Sequence, residues 1–132
     1  MSNLVAIRIK SKFGRLSALC GATVAGTGSA CAITYLLGGD YDAVCRAVPN
    51  MIGNVAGMLC DGAKADCALK ISSCVNAAFQ AAFMALRGVR VQNTDGIVET
   101  DPEYTIDNFA ELGNQGSGPL DAAILKMMLN KR

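Results

Sequence analysis

The stretch "SALCGATVAGTGSACAITYLLGG" (residues 17–39) decides the fold, because it contains no charged residue and consists largely of Gly, Ala, Ser and Thr. It is long enough to cross a bilayer, but its side chains are only weakly lipophilic. A helix that other helices bury on all sides fits this composition better. We therefore predict a buried central helix that ends at "LLGG" (residues 36–39), since Gly commonly terminates helices.

The whole chain has the composition of one globular domain, with 132 residues, 52% of them hydrophobic and 17% charged. We predict a single domain over residues 1–132, in which residues 1–14 form a lead-in segment. Within it, "VAIRIK" (residues 5–10) alternates as a short strand or extended segment does. A net charge of +1 argues against a nucleic-acid partner, and an aromatic content of 5% argues against base stacking.

Helix signals recur along the rest of the chain. Asp40 or Asp42 is placed to cap a second helix, in which Pro49 should cause a kink or start a new segment. A further helix over residues 67–86 carries a stripe of small and apolar side chains at helical spacing: Cys67, Ile71, Cys74, Val75, Ala78 and Ala82. Residues 87–96 are interpreted as a connection with a turn at its end.

The last third of the chain predicts two more helices. Asp101 and Pro102 are typical of a helix cap and first residue, and the inner face behind them holds Ile106, Phe109 and Ala110. A loop is predicted over residues 113–119, followed by an amphipathic last helix with Leu120, Ile124, Met127 and Met128. Together these signals predict an all-α fold, a compact bundle of five to six helices around a buried, small-residue-rich central helix.

The chain contains six Cys and no His, which limits the chemistry of its side chains. Without His there is no imidazole to bind a metal, move a proton or activate a nucleophile. The start of the chain lacks the continuous apolar core of a secretory signal. Cysteines without such a signal predict a cytoplasmic protein, in which thiols stay reduced.

Two of the cysteines, Cys60 and Cys67, flank the polar hexapeptide "DGAKAD". The pair could form a disulfide, bind a metal or cluster, act as a redox pair, or only pack in the core. Gly62 predicts a break, so that Cys60 closes one helix and Cys67 opens the next. A helix N-terminus and the nearby Lys64 and Lys70 favour the thiolate that ligates metals. The spacing matches neither a zinc knuckle nor a ferredoxin, so the alternatives stay open.

Six short motifs follow one another along the chain: "GRLSALCG" (14–21), "AGTG" (25–28), "ITYLLGG" (33–39), "GMLCDGAK" (57–64), "CALKISSCVNAA" (67–78) and "DGIV" (95–98). In this order and at these spacings they resemble the C-terminal part of the L-cysteine desulfidase family, which is related to the alpha chain of iron–sulfur L-serine dehydratases. The resemblance runs from about Gly14 to Leu129. Several ordered motifs are far more specific than a single cysteine pair.

This resemblance implies a [4Fe–4S] cluster bound by Cys20, Cys60 and Cys67, with one iron left open. A Lewis-acidic iron with a free position activates the β-substituent of the substrate as a leaving group. Elimination of sulfide from L-cysteine, or of water from L-serine, then gives pyruvate and ammonia without pyridoxal phosphate. The other cysteines match no ligand position and are expected to pack in the core: Cys31, Cys45 and Cys74.

Six polar residues lie near the implied ligands in the sequence, and they are candidates for hydrogen bonds to the cluster or the substrate: Asp61, Lys64, Lys70, Ser72, Ser73 and Asn76. Helix capping and solvation are the alternative roles for each of them. Asp95 is interpreted either as a turn residue or as a further group near the site.

Members of the family carry a long N-terminal region with a Gly-Cys-Thr-Glu-Pro motif, which is associated with substrate binding and the catalytic base and does not occur here. The resemblance implies that this chain is the cluster-binding part of a longer lyase, inactive without the missing N-terminal portion or subunit and liable to lose its cluster in air. An exposed apolar face would make the chain a homodimer. The alternatives are an L-serine dehydratase domain, a non-catalytic helical interaction module and a small membrane protein, although no membrane partner is expected.

Overall fold

The computed structural model describes residues 1–14 and 17–131. Within these residues the chain forms six α-helices: α1 (Ser2–Lys12), α2 (Gly21–Leu36), α3 (Tyr41–Val55), α4 (Cys67–Leu86), α5 (Pro102–Gln115) and α6 (Ser117–Leu129). The predicted all-α class is confirmed.

Helix α2 is the central helix, as its sequence predicted, and α1, α3 and α4 all pack against it. Most of its hydroxyls are satisfied inside the helix, as when Thr27 Oγ1 donates to the carbonyl of Thr23 at 2.8 Å, whereas Thr23 Oγ1 donates to the carbonyl of Val55 in α3 at 3.1 Å. Gly26 permits close approach of α4, because a Cβ there would lie 3.2 Å from the Cβ of Cys74. After Leu36 the chain turns at Gly38 with a φ of 90°, which confirms the Gly stop.

Both predicted helix caps are present. The side chain of Asp40 accepts a hydrogen bond from the backbone N–H of Ala43 at 2.8 Å and begins α3. The side chain of Asp101 accepts from the N–H of Glu103 at 2.8 Å and begins α5, with Pro102 as its first residue. The inner face of α5 buries the three residues that its spacing predicted: Ile106, Phe109 and Ala110.

The prediction of a strand or extended segment at residues 5–10 is wrong, because these residues lie inside α1. Over so few residues, an alternating pattern is also compatible with a helix. Val5 and Ile9 are four positions apart and face the core together, and Ile9 is fully buried. Helix α1 is joined to α5 by an ion pair between Arg8 and Glu103, whose Nη2 and Oε2 atoms lie 2.8 Å apart.

Two predicted interruptions also differ from the structure. Of the two outcomes predicted for Pro49, the new segment does not occur, because α3 continues through it to Val55, and the kink stays a prediction. The face that α3 buries offsets the roughly 3 kcal/mol that an interior proline costs. The predicted loop at residues 113–119 shrinks to a break at Gly116, since α5 ends at Gln115 and α6 begins at Ser117.

Helix α4 buries a stripe of mostly alanine against α2 and α3. The predicted stripe is only partly right, because Ile71 and Val75 are 56% and 47% exposed, while Cys74, Ala78 and Ala82 are buried. Among the described residues, α4 is the one helix whose length and composition would allow it to cross a membrane. Such a match is weak evidence, because core helices of soluble proteins also meet it.

Candidate metal centre

Cys20 and Cys60 are brought together by a short antiparallel pairing of the segments that precede α2 and follow α3. Leu19 and Leu59 form a β-bridge. On either side of it, the N–H of Cys20 donates to Met58 O at 2.9 Å, and the N–H of Cys60 donates to Ala18 O at 2.6 Å. Cys20 and Cys60 are therefore diagonal neighbours on one side of the pairing, a relation that typically separates Cα atoms by roughly 7–8 Å.

Cys67 approaches from the opposite side of a tight turn. It is the first residue of α4, and its Sγ lies 3.7 Å from the carbonyl oxygen of Gly62. Gly62 has a φ of 95°, a left-handed conformation that favours glycine, and it reverses the chain between the two cysteines. The predicted break at Gly62 is confirmed. Cys60, however, closes no helix, because α3 ends at Val55 and Cys60 lies in the extended segment beyond it.

Two of the three cysteines lie at helix N-termini, Cys20 as the cap of α2 and Cys67 in the first turn of α4. The positive end of a helix dipole stabilises a negatively charged group held there. Cys20 is 7% exposed, whereas Cys60 and Cys67 are half-buried. Of the three thiols, Cys20 is therefore the most shielded from solvent, and Cys60 and Cys67 are partly accessible.

Asp61 is the centre of a charge network beside these cysteines. Lys64 and Lys70 each donate to a different oxygen of its carboxylate. These two hydrogen bonds, the one from Lys64 first, hold the pKa of Asp61 well below its usual range and raise the pKa of both lysines. Lys70 Nζ also donates to the carbonyl oxygen of Leu59 at 2.9 Å. The network therefore fixes the turn between Cys60 and Cys67.

The other predicted polar residues take different positions. Ser72, Ser73 and Asn76 are exposed on α4, and Ser73 Oγ donates to Leu69 O at 3.0 Å within its own helix. Asp95 accepts from the N–H of Gln92 at 3.3 Å, as its interpretation as a turn residue predicted. Of the six polar candidates, the structure brings together Asp61, Lys64 and Lys70.

The three remaining cysteines occupy other environments. Cys31 is fully buried in the core, and burial raises its pKa to about 12. Cys74 is 2% exposed, its Sγ lies 3.7 Å from the sulfur of Met58, and burial raises its pKa. Cys45 is half-buried and lines a cavity of about 830 Å³ between α1, α3 and α5. The three implied ligands are not among the residues that line this cavity.

Cys20, Cys60 and Cys67 offer thiols, the ligand type that iron–sulfur clusters use. Among residues 1–14 and 17–131, no three side chains of His, Cys, Asp or Glu are close enough to hold one metal ion. A cluster distributes its thiolates over separate irons, so its ligands need not converge on one point. Cys20 and Cys67 at two helix N-termini and Cys60 in the segment after α3 lie on separate elements, as ligands of separate irons can.

Comparison with known proteins assigns the family. The family model of the serine dehydratase alpha chain matches residues 1–126. The chain belongs to the serine dehydratase alpha-chain family. No solved structure matches this family member.

Curated relatives of this serine dehydratase alpha-chain member are considerably longer. A UPF0597 protein of Oleidesulfovibrio alaskensis and another of Phocaeicola vulgatus are each 48% identical to it over 132 residues. A UPF0597 protein of Clostridium perfringens is 50% identical over 133 residues. In each case all of the chain is covered, but it spans only 31% of the relative's length.

Sequence reasoning missed two features of the site. One is the Leu19–Leu59 pairing, which has no alternating pattern to indicate it because it involves one residue pair. The other is the contact of Lys70 with the backbone of Leu59. Cys67 and Lys70 are three residues apart, so they lie on the same face of α4. This spacing does not indicate that the carbonyl oxygen of Leu59 accepts a hydrogen bond from Lys70.

Proposed function

We propose that this chain is the C-terminal, iron–sulfur-cluster-binding part of a lyase that eliminates sulfide from L-cysteine to give pyruvate and ammonia. The observation that carries the proposal is the Leu19–Leu59 pairing that places Cys20 beside Cys60, with the turn at Gly62 between Cys60 and Cys67, in a chain of the serine dehydratase alpha-chain family. We also propose a cytoplasmic location, where these thiols stay reduced.

Cys20, Cys60 and Cys67 would hold the cluster. When bound through three thiolates, a [4Fe–4S] cluster offers an iron with an open position, which acts as a Lewis acid toward a leaving group. Cys60 and Cys67 are half-buried, so neither thiol is sealed in the core. This activation needs no pyridoxal phosphate.

The base that removes the substrate's α-proton is proposed to come from outside this chain. The chain has no His. The two lysines nearest the thiols already donate to Asp61, and Lys70 also donates to Leu59. The relatives' additional length would supply the base and the rest of the substrate pocket. We therefore propose that the isolated chain is inactive.

Anaerobic reconstitution with iron and sulfide tests the cluster. Wild type should bind about four irons per chain and develop the visible absorption of a [4Fe–4S] centre. Each of Cys20→Ser, Cys60→Ser and Cys67→Ser should lose that iron. Cys45→Ser is the matched control, because Cys45 is half-buried like Cys60 and Cys67 but lies in α3. Iron-free wild type, or ligand variants that bind as much iron as the control, would overturn the proposal.

The substrate is tested on a longer protein. The chain would be joined to the additional region of its Clostridium perfringens relative, and pyruvate release from L-cysteine and L-serine would be compared by kcat/KM. A higher value for L-cysteine supports the desulfidase, and a higher value for L-serine supports the L-serine dehydratase alternative. A non-catalytic helical interaction module remains the second alternative, and it requires that neither substrate reacts although the protein is folded.

A further inference from the structure

Lys70 contacts the chain on both sides of Cys60. Its Nζ donates to the carbonyl oxygen of Leu59, the residue before Cys60, at 2.9 Å. The same Nζ donates to the carboxylate of Asp61, the residue after Cys60. Lys70 itself lies three residues beyond Cys67 on α4. One ammonium group therefore joins the segment that carries Cys60 to the helix that begins with Cys67.

The turn is fastened a second time by Lys64. It donates to the other carboxylate oxygen of Asp61, so both oxygens of that residue have a partner. The side chain of Lys70 is only 22% exposed, which shields its ion pair partly from water. An ammonium has three donors in total. Two of them are committed to Leu59 and Asp61, so the structure uses Lys70 to hold backbone geometry.

We propose that Lys70 is a positioning residue that sets the distance between Cys60 and Cys67 before any cluster binds. This inference rests on the proposed function, because it assigns Lys70 a role toward the proposed ligands. Groups that orient metal ligands typically contribute 10- to 100-fold to metal affinity. Without Lys70, Cys60 would stay tied to the core by its N–H bond to Ala18 but would lose its tie to α4.

The test compares three variants. Lys70→Met keeps the aliphatic stem and removes the donors. Lys70→Arg keeps a cation with several donors that can reach both acceptors. Lys12→Met is the matched control, because Lys12 also has two partners, the carboxylates of Asp107 and Glu103, and its side chain is 21% exposed. Lys12 lies on α1, away from the turn.

Two readouts are measured on each protein. The first is amide hydrogen exchange of residues 57–66 in the metal-free protein. The second is the amount of iron that each chain retains against a chelator after anaerobic reconstitution.

We expect Lys70→Met to exchange these amides several-fold faster than wild type and to retain iron about tenfold less tightly. Lys70→Arg should restore both values, and Lys12→Met should match wild type. Unchanged exchange and retention in Lys70→Met would overturn the inference, and so would an equal effect of Lys12→Met.

The results distinguish failure of the proposed function from failure of the inference about Lys70. If wild type binds no iron, the proposed function fails, and the inference about ligand spacing fails with it. The exchange readout then reports only whether Lys70 holds the turn. If wild type binds iron and Lys70→Met is indistinguishable from it, only the positioning role of Lys70 is lost.

Discussion

At the scale of single residues, Asn50 shows how a buried polar side chain organises the bundle. It is 3% exposed on α3, and its Nδ2 donates to the carbonyls of Ala81 at 3.3 Å and Val89 at 3.0 Å. Its Oδ1 accepts from the N–H of Val91 at 2.8 Å. One amide group thus joins α3 to α4 and to the segment that follows α4.

Replacing Asn50 with Leu should lower the free energy of unfolding by at least about 2 kcal/mol. The N–H of Val91 and the carbonyls of Ala81 and Val89 would lose this partner, and each hydrogen bond contributes about 0.5–1.5 kcal/mol. Urea unfolding followed by circular dichroism measures the change. Asn54→Leu, at an exposed position on the same helix, is the control. Equal stabilities of the two variants would contradict this role of Asn50.

Cys31 should resist alkylation in the folded protein. It is fully buried, and burial raises its pKa to about 12, so the thiol stays protonated until the pH approaches that value. At pH 8 only about one molecule in ten thousand would carry the reactive thiolate. Iodoacetamide labelling at pH 8, followed by mass spectrometry, should modify the half-buried Cys45 and spare Cys31. In urea both should react, and comparable rates for the two in the folded state would rule out the predicted protection.

At the scale of the elements, the glycines of α2 determine how closely its neighbours pack. Gly28 faces the start of α1, and a Cβ at this position would overlap the carbonyl oxygen of Ser2. Backbone atoms at a helix start have little freedom to move away. Gly21, at the start of α2, has open space instead, with nothing within 4 Å of a Cβ.

Gly28→Ala should therefore destabilise the protein by about 1–3 kcal/mol, the usual range for overpacking. Gly21→Ala should cause no loss, because alanine is the better helix former and meets no neighbour. Thermal unfolding of both variants beside wild type measures the difference. A Gly28→Ala variant as stable as Gly21→Ala would show that α1 can shift away from α2 at no cost.

The helices could be predicted where local chemistry fixes them. Asp40 and Asp101 carry side-chain oxygens next to helix starts, and the uncharged stretch around α2 has no stable alternative to burial. Helix α1 could not be predicted, because six residues that alternate apolar and basic side chains fit both a strand and a helix. The helical conformation of α1 depends on its packing against α2 and α5, which includes the burial of Ile9 and the ion pair of Arg8 with Glu103 in α5.

The candidate site could be predicted in part for the same reason. The start of α4 at Cys67 follows from the local sequence, and so does the turn at Gly62. The position of Cys60 relative to Cys20 depends on a pairing between segments 40 residues apart in sequence, Leu19 and Leu59. Resemblance to a family indicated which cysteines belong together, whereas the residues alone left several alternatives.

At the scale of the whole molecule, the outer face of α4 is apolar. Ile71, Val75, Phe79 and Phe83 follow one another at intervals of four residues, and each is between 45% and 56% exposed. Phe79 and Phe83 contact each other, with ring centroids 6.2 Å apart. A stripe of this kind on one helix can pack against the same stripe of a second copy around a two-fold axis.

We therefore propose that the isolated chain is a homodimer through α4. Light scattering coupled to size-exclusion chromatography should give twice the chain mass of 13.7 kDa. The double variant Phe79→Ser/Phe83→Ser should shift toward the monomer, because it removes the aromatic centre of the stripe. Gln80→Ser, at an exposed polar position between them, should leave the dimer intact. A monomeric wild type would exclude this interface.

Helix α6 affects how readily oxidants would reach the candidate site. Only its first residue, Ser117, is buried, and α5 is the helix it packs against among the described residues. Yet the Cε of Met128 lies 3.1 Å from where a Cβ of Gly62 would stand, over the turn between Cys60 and Cys67. A helix with so little buried surface opens locally far more often than the bundle unfolds. Each opening would remove Met128 from the turn and expose the half-buried Cys60 and Cys67 further to oxidants, so the lifetime of the proposed cluster in air would depend on the thirteen residues of α6 as well as on the melting temperature of the protein.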